Sequence, residues 1–132
     1  MLRDYTREQY SDDVDVLLVH RGTNRTIMSD VGGVYGFEDI TIKLDGEAPN
    51  FLSACDQLTS GRFKPTNIDE GPDYPDYFYD AVSSPNSASR LAGFDGLRAN
   101  GGWQLFVRDD IAPDSGDIGA GWTVQIKAAV PQ

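Results

Sequence analysis

Short runs in which apolar and polar residues alternate, each closed by Gly, Pro, Asn or Asp, dominate this chain. In residues 103–108, Trp103, Leu105 and Val107 alternate with Gln104, Phe106 and Arg108; in residues 122–127, Trp122, Val124 and Ile126 alternate with Thr123, Gln125 and Lys127. A period of two sends successive side chains to opposite faces of an extended chain, so each run predicts a strand with one face in a core. Between them lies DDIAPDSGDIGAG, residues 109–121, rich in the carboxylates and glycines that turns use. It is longer than a tight turn requires.

Residues 13–19, DVDVLLV, predict the clearest early strand, with Val14, Val16 and Leu18 on one face. Asp13, Asp15, Leu17 and Val19 fall on the other, so the two aspartates are expected to project together from the less buried side. HRGTNRT supplies a turn, Ile27 and Met28 start a returning strand, and SDVGG ends it. Residues 37–44 predict the next strand, through Ile40, Ile42 and Leu44. The pattern then weakens. Residues 69–89, DEGPDYPDYFYDAVSSPNSAS, read as a long surface excursion, a kind of loop that is uncommon in compact domains and often functional.

These elements predict an all-β fold in one domain spanning residues 1–132, with little helix, because no window holds a sustained apolar period of 3.6. The expected core is Val14, Val16, Leu18, Ile40, Ile42, Trp103, Leu105, Val107, Trp122, Val124 and Ile126. With 21 acidic against 11 basic residues the net charge is −10. That disfavours a nucleic-acid partner, since phosphate contacts need clustered Lys and Arg. Cys55 is the only cysteine, which leaves no internal disulfide and no thiolate cluster; it reads as a small apolar residue, buried or half-buried. No apolar run approaches the ~20 residues of a membrane span, and no signal peptide is visible.

Taken in order, YSDDVDVLLVHRG, MSDVGG, LTSGRFKPTN, FDGLRANGGWQLFVRDD and DSGDIGAGWTVQI resemble the P domain, or Homo B domain, that follows the catalytic domain in kexin-like and furin-like proprotein convertases and in many bacterial subtilisin-type proteases. The resemblance covers nearly the whole chain. It implies a jelly-roll-like β-sandwich, similar to galactose-binding-like domains, without catalytic residues of its own. It further implies an extracellular or cell-surface setting and, as partner, an associated protease or surface protein. Members of that family carry strand sequence ahead of the segment matched by LRDYTREQYSDDVDVLLV. A first strand is therefore expected to be missing, leaving an N-terminal sheet edge open to self-association.

Candidate chemistry is thin. His20 is the only histidine, no G-x-S-x-G surrounds a serine, and His20 at a strand end is expected to be exposed rather than to serve as a base. Calcium is the better candidate, because it takes six to eight hard oxygen ligands and tolerates irregular loops. Asp13, Asp15, Asp30, Asp110 and Asp114 form the candidate pool, although none follows EF-hand spacing. For any one of them, capping a turn is the plainer role. Tyr74, Tyr77 and Tyr79 offer a weaker ligand platform, packing onto their own domain being the alternative. Two other functions stay open: a carbohydrate-binding module, and a structural jelly-roll protein of a particle or cell surface.

Overall fold

The computed structural model describes residues 2–6, 14–33, 35–37, 39–68, 88–109 and 117–127. These contain β1 (Leu2–Thr6), β2 (Val14–His20), β3 (Thr23–Ser29), β4 (Ile40–Leu44), β5 (Gly61–Phe63), β6 (Thr66–Asn67), β7 (Trp103–Asp109) and β8 (Asp117–Trp122), with a single-turn 3-10 helix at Leu91–Phe94. The described residues are thus strand-rich and nearly without helix, as the pattern predicts. No helix among the described residues is long and apolar enough to cross a membrane.

The strands form two four-stranded sheets, ordered β5-β4-β1-β8 and β6-β3-β2-β7. Pairing is antiparallel except at β3 with β6 and β4 with β5, which are parallel. β2 and β3 are joined by a two-residue turn, Arg21 and Gly22, both in the left-handed region with φ of 47° and 77°. Such a turn matches the right-handed twist of the strands it joins. On its other side β2 runs in unbroken register with β7, from Val14 opposite Asp109 to His20 opposite Trp103.

One apolar cluster draws on both sheets: Val14, Val16 and Leu18 of β2, Ile27 and Met28 of β3, and Ile40 and Ile42 of β4, with Trp103, Leu105, Trp122 and Val124 packed against it half-buried. Ile27 and Met28 are consecutive, and a regular strand would send them to opposite faces. The β2–β3 register shifts here, from Val16 opposite Met28 to Leu17 opposite Thr26, so β3 bulges by one residue and both side chains reach the core.

Several expectations are corrected. The second face of β2 is covered at Asp15 and Leu17, both fully buried, and half-covered at Val19. Val107 and Ile126 are 45% and 46% exposed. Val107 stands opposite Val16 but on the outermost described strand of its sheet, and Ile126 lies beyond β8, which Trp122 ends rather than begins. β4 starts at Ile40 and not at residue 37, because Asp39 sits at a φ of 54° and breaks the extended chain. Cys55 is exposed. The N-terminal strand is no edge: β1 lies between β4 and β8 and pairs with both, so association through backbone pairing would have to use a different strand.

After β3 the chain turns through Asp30, Gly32 and Gly33, all at positive φ. The Gly32 amide donates to Ser53 O at 2.7 Å, and a Cβ on Gly33 would lie 3.0 Å from Cys55 O. Gly33→Ala combines a left-handed backbone with a tight approach to the Cys55 carbonyl. We expect a loss of about 1–3 kcal/mol in urea unfolding; a change under about half a kcal/mol would show that the two loops part without cost.

Candidate functional site

Three features concentrate the chemistry. The first is acidic. Asp15 on β2 and Ser29 at the end of β3 are both fully buried, and Ser29 Oγ donates to Asp15 Oδ1 at 2.5 Å. The same hydroxyl lies 3.1 Å from Oδ2 of the half-buried Asp30, which the left-handed turn swings back over Ser29. A hydroxyl has one proton, and the shorter contact to Asp15 takes it. Arg108 of β7, half-buried, is the register partner of Asp15, so the two side chains leave the same face of the sheet.

Asp15 and Asp30 are therefore brought together, as the metal hypothesis requires, but Asp15 is built into the fold rather than displayed on its surface. Asp13, Asp110 and Asp114 lie outside the described residues, as do Tyr74, Tyr77 and Tyr79. Among the described residues no group of three or more His, Cys, Asp or Glu side chains is placed to hold a metal ion. Asp15, Ser29 and Asp30 together supply fewer oxygens than the six to eight calcium takes. The hard-oxygen chemistry fits, and the described part of the set falls short of a full shell.

The second feature is a clamp that the sequence did not announce. His20 is 1% exposed, the reverse of the expected surface histidine. Its ring stacks on Trp103 with centroids 3.8 Å apart and planes within 2°. Nδ1 lies 2.9 Å from Gly102 O and Nε2 lies 2.6 Å from Arg98 O. Neighbouring side chains grip the same loop: Trp103 Nε1 donates to Ala99 O at 3.0 Å, and Arg21 donates through Nε to Asn100 O at 2.9 Å and through its terminal nitrogen to Asn100 Oδ1 at 2.7 Å. Four carbonyls of residues 98–102 are thus capped by side chains of the β2–β3 turn and the first residue of β7. The only sequence signal was that His20, Arg21 and Trp103 each adjoin a turn.

The third feature is a cleft of about 540 Å³, lined from both sheets by Leu18, Leu44, Leu105 and Trp122 and walled by the 3-10 helix through Leu91 and Ala92. Lys43, Asp45, Asp95 and Lys127 stand among its polar groups. Asp45 is held below the usual carboxylate range, first by the Glu47 amide at 2.9 Å and then by the Arg62 guanidinium at 2.8 Å. It stays anionic at the cleft to a lower pH than a free aspartate. Apolar walls with a few charged groups at the entrance are the general form of a small-molecule site.

Compared with known proteins, the chain matches no family model, no curated protein and no solved structure.

Proposed function

We propose that the chain is a non-catalytic β-sandwich accessory module of the P-domain kind, which stabilises or targets an associated subtilisin-like protease or another extracellular surface protein. The observation that carries this reading is the use made of His20. The sequence holds one histidine, and both of its ring nitrogens face backbone carbonyls while its ring lies against Trp103. A serine hydrolase needs an imidazole that can take a proton from its nucleophile and return it to the leaving group. A ring so enclosed serves architecture. The antiparallel pairs β1 with β8 and β2 with β7 favour a jelly-roll topology, whereas the parallel pairs β3 with β6 and β4 with β5 depart from it.

Calcium belongs to the proposal as a stabilising ion. Asp30 is the described residue best placed for it, half-buried beside Asp15 and on an irregular turn. A ligand that binds only the native state adds RT ln(1 + [L]/Kd), about 2.7 kcal/mol at a hundredfold excess over Kd. Melting in millimolar calcium should exceed melting in EDTA, and the difference should shrink in Asp30→Asn. In the same preparations a broad fluorogenic peptide screen should show no turnover. Turnover that survives repurification and vanishes in His20→Ala would overturn the accessory reading, and superimposable melting curves would remove calcium from it. The Trp122-lined cleft favours a second reading, a carbohydrate-binding module, for which glycan binding lost in Trp122→Ala would decide.

A further inference from the structure

The outermost strand of a sheet carries a row of unpaired backbone N–H and C=O groups, and proteins blunt such edges with very short strands, bulges, proline or charged side chains. Among the described residues the two sheets end in four such strands, β5 and β8 in one and β6 and β7 in the other. Three of them are blunted. β5 and β6 are three and two residues long, while β8 shifts register against β1 and takes Gly121 to a φ of 84°. β7 has seven residues, no glycine or proline, and an unbroken register with β2. Its charged residues, Arg108 and Asp109, are confined to its last two positions.

The side chains along this edge are those of a contact rather than of a wet margin. Val107 shares the inward phase of Trp103 and Leu105, yet it is 45% exposed, and Phe106 on the other face is half-buried. We propose that β7 is a dimerisation edge, at which a second copy of this chain adds its own β7 antiparallel and extends the sheet β6-β3-β2-β7 to eight strands. The sequence of β7, WQLFVRD, selects a second copy over an unrelated strand because it complements itself. A two-fold axis normal to the sheet at Phe106 keeps both inward faces on one side and closes the assembly at two chains. It sets Phe106 opposite Phe106, Leu105 opposite Val107, Gln104 opposite Arg108 and Trp103 opposite Asp109, so that every residue of the strand has a partner. Val107 of each copy is then covered by Leu105 of the other, and no like charges meet.

Charge sets the sign of the salt dependence. Each copy carries a net charge of −10, so the two repel one another as whole molecules, and added salt screens that repulsion. Paired backbone and apolar side chains between the strands are little affected. The dimer therefore tightens as ionic strength rises, whereas a contact held by ion pairs would loosen. The proposal stands apart from the accessory reading, which makes no demand on this edge.

Sedimentation velocity over a concentration series should show monomer passing to dimer, with the midpoint moving to lower concentration as sodium chloride is added. Gln104 is exposed, so its charge can be changed with little effect on the fold. In high salt, where the net-charge repulsion is screened, Gln104→Lys sets like charges opposite Arg108 at two symmetric places and should weaken the dimer roughly 2- to 25-fold; Gln104→Glu should strengthen it by a similar factor. In a Cys55→Ser background, Phe106→Cys brings two thiols together on the axis and should oxidise to a covalent dimer. Gln104→Cys in that background, about 13 Å from its counterpart, should not. A chain that stays monomeric at every concentration and ionic strength would overturn the proposal. So would a dimer indifferent to the charge at position 104, or one that cross-links equally through both cysteines. Should Phe106→Cys fail to fold, the two charge variants of Gln104 decide.

Discussion

Leu17→Ala is expected to cost about 2–5 kcal/mol, the same as Leu18→Ala, although the two side chains leave β2 in opposite directions. Leu18 enters the cluster shared by the two sheets, while Leu17, fully buried, stands outside that cluster and opposite Phe106 and Thr26. Each truncation removes three carbons from close-packed surroundings and leaves a cavity that the neighbours fill only in part. A strand with one wet face would show the cost at Leu18 alone. Urea unfolding of the two variants separates the cases: a loss below about 1 kcal/mol at Leu17 with a full loss at Leu18 would mean that the outer face of β2 meets solvent.

The same contrast marks how far the sequence could be read. Alternation located β2 and β7 and the inward phase of Val14, Val16, Leu18, Trp103 and Leu105, because a period of two is a local property of the chain. It could not tell whether the second face of β2 is wet. Burial of that face depends on chain segments distant in sequence, and an aspartate at position 15 argues for solvent until its partners are known. Ile27 and Met28 pose the complementary problem, since a bulge lets two neighbours share a face that strict alternation would divide between them. The sequence leads one to expect an open N-terminal edge, yet β1 is central in its sheet, and strand order is a property of topology that no local pattern carries.

The site was legible to the same degree. Asp15 and Asp30 are marked in the sequence as carboxylates near turns, and they do converge, but the residue that joins them, Ser29, has no pattern to mark it. The burial of His20 is hidden from the sequence for a similar reason. A histidine beside an Arg-Gly turn looks exposed, and only the return of residues 98–102, some eighty positions later, covers it. Long-range hydrogen bonds to backbone carbonyls leave no trace in side-chain identity at the accepting end.

Asp15→Ala should cost about 1–3 kcal/mol, because it takes from the fully buried Ser29 hydroxyl its 2.5 Å acceptor in a place without water. Ser29→Ala should cost about 1.5–3 kcal/mol, the range for a hydrogen bond to a charged group, since it leaves the carboxylate in place with one donor fewer. The two losses should not add. Once Asp15 is gone the hydroxyl has lost its 2.5 Å partner, so truncating Ser29 in the Asp15→Ala background should cost much less than in the native chain. A double-mutant cycle in urea should return a coupling of roughly 0.5–3 kcal/mol. Strictly additive losses would mean that the contact between Asp15 and Ser29 contributes nothing to the fold.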